Sequence, residues 1–595
     1  MAEREIAWDL SEMFPSTTDP SVQKAIEDLT RLTESFAGKY RGKIKDLSAK
    51  ELLECIRGYE EYLTRLGRLV TFAGLSFCTN MTIPGTQSLR DRVNKMRAEL
   101  EKMLAFFNIE LGYLVYRNPG IAHEEILLNY RHFLERFLKK VPHQLSEGEE
   151  KLVIEKDQFG INAWRDLRRV WLNTRMFEVE VKGEKKTVSF GEASGFTYNP
   201  DRSTRISATK SIGNVLAKDD EIFSSALRNI CNDWLSVCDR RKYDSPMEAS
   251  LIDNDVDQQT INNLLNTIEN SAELFQRYLR LKAKIMNLPR LGGHDIWAPI
   301  PDAPDIKFDY DKAKALIIEA YERFDEDYAF AARDMFSRNH IDSTPRSGKA
   351  DGAFFADWHE GKSGYVLCNF NDALLDVYTL AHELGHATHA YHYMHGQTIL
   401  SGSFNLSMAV AETASIFGEL LLTDLLLSRS ESDQEKKAII CSVLDAANLN
   451  ISATCMLRSE QTLYDTIKRG EFLDFNTICR HWTGARNKFF GDAVEWLEET
   501  QAEWASIPHF YMPNFRFYNY PYIYSQVFVY ALYQQYLKEG KEFVPKFKRA
   551  LSAGCSISPV EIGKMVGLDV TDAHFWELGL KQYERFVEEL EKIVS

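Results

Sequence analysis

Residues 379–396 read TLAHELGHATHAYHYMHG, and five of the chain's 14 histidines fall between His382 and His395. No other stretch restricts the fold as strongly. His382 and His386 are four apart, so on a helix both imidazoles leave one face about a turn from each other. Glu383 is rotated off that face, close enough to touch a water beside a metal without being a ligand. This is the HExxH arrangement, two metal ligands and a general base. Chance would produce it about 0.02–0.03 times in a chain of this length and histidine content. Catalytic zinc takes three protein ligands and keeps a position open, so the fold has to bring a third donor from elsewhere.

Two residues compete for that place. His392 stands six positions after His386, as in HExxHxxGxxH sites, but that pattern needs a chain-turning glycine at 389, and 389 is histidine. On a continuing helix His392 lies beyond His386 on another face, outside the same coordination sphere. The other candidate is Glu412, in MAVAETASIFGELL. An acid in an apolar helix is costly unless paired or metal-bound, and no base follows it before Arg429. Glu412 is therefore expected as the third ligand. Glu419, two turns on with Ser415 between, is expected to hydrogen-bond a ligand imidazole. His389 shares the ligand face but lies too far along to bind; a buried, hydrogen-bonded place beside the site is expected for it. His392 and His395 are expected to play no part, His395 facing solvent. Asp372 is expected to cap the histidine helix and Gly396 to end it from the C′ position.

The surrounding chain reads as mainly α. Apolar residues recur at three- and four-residue spacing over 49–72, 91–111, 261–288 and 309–336. Strand signals are few: MFEVEVKGEKKTVSF (176–190) alternates about Gly183 like a hairpin, and GAFFADWHEGKSGYVLCNF (352–370) holds two apolar runs about a turn. The second lies just before the histidines, so a small sheet is expected beside the site. The apolar run 404–428 contains Glu412, Glu419 and Asp424, which favours a buried helix over a membrane span.

The net charge of −16, with no basic stripe, argues against nucleic acid or an anionic membrane as partner. Nine scattered cysteines without a CxxC pair, and an N-terminus without an apolar signal core, fit a reducing cytoplasm.

The chain resembles the oligoendopeptidase F-like zinc metallopeptidases, relatives of thimet oligopeptidase and neurolysin. The resemblance rests on WDLSEMFP at the start, YNPDRSTR (198–205), SGYVLCNFNDALLDVYTLAHELGHATH, AVAETASIFGE, HFYMPNFRFYNYPYIYS (509–525) and LSAGCSISPVEIGKMVGLDVTDAHFWELGL. These follow the family's order over nearly the whole chain. The resemblance implies a two-part helical ellipsoid with a deep central channel, admitting peptides but not folded proteins. It also implies one Zn2+ per chain on His382, His386 and Glu412, and water activation by Glu383. Donors to the oxyanion come in that family from a His and Tyr residues of the late aromatic segment. His509 matches the His, Tyr522 fits the principal Tyr and Tyr518 is the next candidate; a short insertion around 514–516 leaves the choice of Tyr open. The segment 364–370 is similar to the strand before the family's zinc helix. As an edge strand it is expected to pair with extended substrate through Gly364, Tyr365 and Val366.

The expected division is an N-terminal helical region, 1–195, with the hairpin near its end, and a catalytic region, 196–595. The expected activity is zinc-dependent hydrolysis of internal bonds in short peptides, by a monomer or homodimer. The rival readings are a zinc carboxypeptidase and a zinc-dependent peptide binder without turnover. Glu383 speaks against the binder, which has no need of a base.

Overall fold

The computed structural model describes residues 5–594 except 302, 303, 305, 306, 514 and 515. Helices make up 73% of it, and among the described residues the strands form three small sheets, so the mainly α reading holds. The chain forms two compact units, each discontinuous in sequence. Unit 1 takes residues up to 141, 305–429 and 532–570; unit 2 takes 142–304, 430–531 and 571–595. The 195/196 division lies inside unit 2.

Unit 1 begins with three long helices, Pro20–Tyr40, Ala49–Thr79 and Pro84–Arg117. Asp19 caps the first, and Ser48 with Glu51 forms a capping box on the second. Their apolar faces meet around Phe36 and the stacked rings of Tyr59 and Phe107, 3.8 Å apart. Tyr365 and Leu367 belong to the same buried cluster, which ties the small sheet to these helices. The periodic run 309–336 proves to be two helices, Tyr310–Phe324 and Glu326–Ser337. Asp325 separates them, its carboxylate accepting from the Asp327 and Tyr328 N–H groups. The run 261–288 divides similarly, into Gln258–Asn270 and Ala272–Ile285.

The sheet beside the histidines has the order Ile341–Asp342, Ser363–Leu367, Phe354–Trp358. The middle strand runs antiparallel to Phe354–Trp358 and parallel to Ile341–Asp342. Its parallel side is closed by Val366 N–H to His340 O (2.9 Å) and Cys368 N–H to Asp342 O (3.0 Å).

In unit 2 the hairpin expected over 176–190 is present, Phe177–Val181 against Glu184–Val188. Lys182 and Gly183 turn it with positive φ, +52° and +86°, as a two-residue primed turn requires. The helix Asp433–Lys468 is long and apolar enough, by length and composition alone, to cross a membrane. It carries buried Asn448 and Glu460, and Glu460 meets Arg516 at 2.6 Å. The stretch 404–428, weighed above as a span, becomes a short helix Met408–Ala411 and the buried helix Thr413–Arg429, with Glu412 at the joint.

Candidate metal centre

The histidine helix runs Leu374–Gly396. Its start is fixed by Asp376, whose carboxylate accepts from the N–H groups of Asn371 (2.8 Å) and Ala373 (3.0 Å). Asp372, expected as the cap, instead has a left-handed backbone (φ +63°), and its carbonyl accepts from Phe308 N–H. Asp376 is already in the first turn and can reach both orphan amides, which leaves Asp372 to make the bend. Gly396 is the last helical residue rather than a left-handed C′: a Cβ there would lie 2.8 Å from Ser552 O. Its size, not its backbone freedom, is what the structure uses.

Gly385, the glycine of HELGH, lets a second helix approach. A Cβ at 385 would stand 2.4 Å from Ser415 Cα and 2.6 Å from Ala414 O, so only glycine lets Thr413–Arg429 pack this close. Two tyrosines clamp the pair. Tyr321 donates to Ala381 O (2.6 Å) and Tyr328 to Ala414 O (2.8 Å). Gly418 makes room for the Tyr321 hydroxyl, which a Cβ would meet at 2.3 Å.

This approach brings Glu412 to the histidines. Its Oε2 lies 3.2 Å from His382 Nε2 and 3.3 Å from His386 Nε2, and the two Nε2 atoms are 3.2 Å apart. Glu419 accepts from His382 Nδ1 at 2.5 Å, which assigns the proton to Nδ1 and leaves Nε2 a free electron pair. Ser415 Oγ donates to Glu412 Oε2 (2.6 Å) and orients the carboxylate. Three electron-pair donors thus face one another at an ordinary hydrogen-bond spacing, an arrangement that repels unless a cation stands among them. Bonds of about 2.0–2.1 Å from a tetrahedral Zn2+ put ligand atoms about 3.3–3.4 Å apart, close to the observed edges. Two imidazoles and a carboxylate are also a donor set that suits zinc. Among the described residues these three side chains are the group that converges in this way.

Glu383 is buried, 7% exposed. Burial raises its carboxyl pKa, opposed by His382 and His386. His389 is buried and neutral, its pKa lowered to about 4 by burial. Its Nδ1 hydrogen-bonds Ala411 O at 3.4 Å, so it supports the joint that carries Glu412. His392 is buried away from the three donors, and His395 is exposed, bonded to Tyr391 O.

Unit 2 gathers the late aromatic segment into a cluster of its own. The His509 ring stacks on Tyr518 at 5.7 Å, and Tyr522 meets Tyr518 edge-on at 5.6 Å. Burial lowers the His509 pKa and keeps the ring neutral. Of the expected insertion at 514–516, residues 514 and 515 lie outside the described residues. Arg516 is the residue that sequence reasoning missed. Fully buried, it pairs with Glu460, donates to Tyr464 Oη (2.7 Å) and to Phe510 O (2.6 Å), and so fastens the segment to helix Asp433–Lys468. A single arginine within the aromatic run 509–525 was the available signal.

Comparison with known proteins agrees with this geometry. The profile of Peptidase family M3 matches residues 196–581, well over half the chain. The chain belongs to peptidase family M3. The Oligopeptidase F profile matches residues 120–169 of this M3 peptidase. Oligopeptidase PepF of Bacillus subtilis is 27% identical over 99% of this chain and 87% of its own length. Group B oligopeptidase PepB of Streptococcus agalactiae is 24% identical over 100% and 98%. The crystal structure of oligoendopeptidase-F from Enterococcus faecium covers 97% of this chain and 99% of its own, with TM-score 0.69 and 22% identity. A second crystal structure, of a peptidase from Chlamydophila abortus, reaches TM-score 0.87 at 20% identity, covering 99% of this chain and 98% of its own. The two structures bear on the fold alone. The resemblance to the oligoendopeptidase F-like group is borne out.

One expected element of the M3 site is corrected. Gly364, Tyr365 and Val366 lie on the middle strand, all buried and paired with Phe354–Trp358, and Val366 pairs with Ile341 on the other side as well, so the strand is not the edge it was expected to be. The two-residue strand Ile341–Asp342, too short to show any alternation, occupies the side that was taken to be open.

Proposed function

We propose that this M3 peptidase is a zinc-dependent endopeptidase that hydrolyses internal bonds of oligopeptides and leaves folded proteins intact. The near-equilateral set of His382 Nε2, His386 Nε2 and Glu412 Oε2 carries the metal part of this reading. The curated relatives, named as oligopeptidases and oligoendopeptidases, support the substrate class. When bound, Zn2+ supplies a Lewis acid that makes water acidic and polarises a carbonyl. Glu419 holds His382 in the tautomer whose Nε2 is free to bind, and Ser415 and His389 hold Glu412 in place. Glu383 takes a proton from the attacking water and delivers it to the departing amine. His509 and Tyr522, with Tyr518 beside them, are assigned the donors to the oxyanion; the support is their mutual packing and the neutral His509. A reducing cytoplasm is part of the same reading, supported by nine free thiols, eight of them buried.

The test begins with Glu383→Gln, which should keep one zinc per chain by elemental analysis while turnover falls about 10²–10⁴-fold. Near-normal turnover would remove Glu383 from the mechanism. Tyr522→Phe should lower kcat about 10²–10³-fold with little change in KM; an unchanged kcat passes the role to Tyr518. Cleavage of peptides blocked at both ends is expected of an endopeptidase and would rule out carboxypeptidase action.

A further inference from the structure

The strand Phe354–Trp358 turns two different faces to its surroundings. Phe354, Ala356 and Trp358 belong to or pack against the large apolar cluster of unit 1, while Phe355 packs on Ala390, Tyr393 and Met394 of the histidine helix. Alternate residues of a strand share a face, so Asp357 projects with Phe355 toward that helix. The charge of Asp357 acts on the buried Tyr393 hydroxyl and helps to raise its pKa, which agrees with this placement. All these residues belong to unit 1.

An acid in this position is without a counterpart. Asp357 lies deep among protein atoms, where burial raises its carboxyl pKa, yet it is exposed to solvent. Both hold together for a side chain on the wall of a recess that water enters. Among the described residues no Lys, Arg or His pairs with its carboxylate. Directly opposite on the neighbouring strand stands Gly364, and the Phe355 ring covers it: a Cβ at 364 would lie 2.3 Å from that ring. The nearest lysine in the sequence, Lys362, acts on His359 instead. A carboxylate withdrawn from bulk water is costly unless a counter-charge reaches it, and the protein supplies none.

The place adjoins the metal centre. His382, His386, His389 and Tyr393 follow one another at helical spacing on one face, and the His389 and Tyr393 rings are 5.5 Å apart. Tyr393 is seven residues beyond His386, about 10 Å along the axis. That is the span of about three residues of extended peptide. The half-buried ring of Phe355 offers apolar surface to an aliphatic stem and a π-face to a cation.

We propose that Asp357 is a specificity residue that receives the cationic side chain of Arg or Lys in a substrate peptide, about two to four residues from the cleaved bond. This rests on the reading of the chain as an oligopeptidase and deepens it by naming a preferred side chain. The incoming cation supplies the missing counter-charge, and Phe355 supports its stem. A neutral or acidic residue at that position leaves Asp357 unpaired.

The test compares arginine with citrulline, its uncharged isostere, at each position of an otherwise neutral, internally quenched peptide blocked at both ends. Zinc-loaded wild-type protein is expected to cleave the arginine form about tenfold faster at one such position, read as kcat/KM with the change mainly in KM. Asp357→Asn and Asp357→Ser should bring the ratio of arginine to citrulline within about twofold of one, and Asp357→Lys should favour glutamate there instead. Zinc content and melting temperature check that the variants fold. Binding is read separately by fluorescence anisotropy in the Glu383→Gln protein. There the arginine peptide should bind about tenfold tighter than the citrulline peptide, and the two should bind equally once Asp357→Asn is added. Cleavage without preference for arginine, a preference that survives in Asp357→Asn or Asp357→Ser, or equal binding of both peptides to Glu383→Gln would overturn the proposal. If no peptide is cleaved, the peptidase reading fails, and the binding measurement alone decides the role of Asp357.

Discussion

Glu419 shows how much of a metal site is settled by residues that do not touch the metal. Its carboxylate at 2.5 Å from His382 Nδ1 fixes which nitrogen of that ring is free, and thereby which face of the helix offers an electron pair. Glu419→Gln should therefore weaken zinc binding about 10–100-fold, measured by competition with a chromophoric chelator, while Glu383→Gln should leave affinity nearly unchanged. Equal affinity in Glu419→Gln and wild type would mean that His382 is oriented by something else. At this scale the sequence was highly legible. His382, Glu383 and His386 are fixed by helical spacing alone. Glu412 and Glu419 stood out because an acid in apolar surroundings needs a reason. Arg516 and Glu460 were less legible, because Glu460 stands two residues from Arg458 in a helix with other charges, and the two partners lie far apart in the sequence.

Between the residue and the molecule stand the two helices whose contact forms the site. Their separation is set by Gly385, where a Cβ would run into Ser415 Cα at 2.4 Å, main-chain atoms that cannot swing aside. Gly385→Ala is expected to push the helices apart and separate Glu412 from the imidazoles. The measured result should be lost zinc and a lowered melting temperature, though no ligand has changed. An alanine variant with full zinc content would show that the helix contact is softer than this spacing implies. Elements were less legible than residues. Helical periodicity located the long helices but ran through the breaks at Asp325 and Ser271, because two helices in line can share one buried face. The hairpin about Gly183 was readable from its turn. The strand Ser363–Leu367 was readable as a strand but not as the middle of a sheet, since pairing with Ile341–Asp342 leaves no local trace.

For the whole molecule, metal binding and folding are linked. The donors come from a helix and a separate interhelical joint of unit 1, so a bound ion stabilises that unit by an amount set by its affinity; at about 1,000 times Kd the gain is about 4 kcal/mol. A chelator is expected to lower the melting temperature of the wild-type protein, and to do so much less in a His386→Ala variant. An equal effect on both would assign the stabilisation to metal bound elsewhere. By itself, the sequence determined the mainly helical class and the grouping of His382, His386 and Glu412, since each rests on spacing within one element or on the cost of a single residue's surroundings. Tertiary structure decided which segments form each compact unit and that the strand before the histidines is closed on both sides. It also decided that Gly293 lies against the Trp496 ring, where a side chain would collide. These depend on contacts between residues far apart in the chain, where the energy lies in the fit of two surfaces, and neither segment alone carries a record of the other.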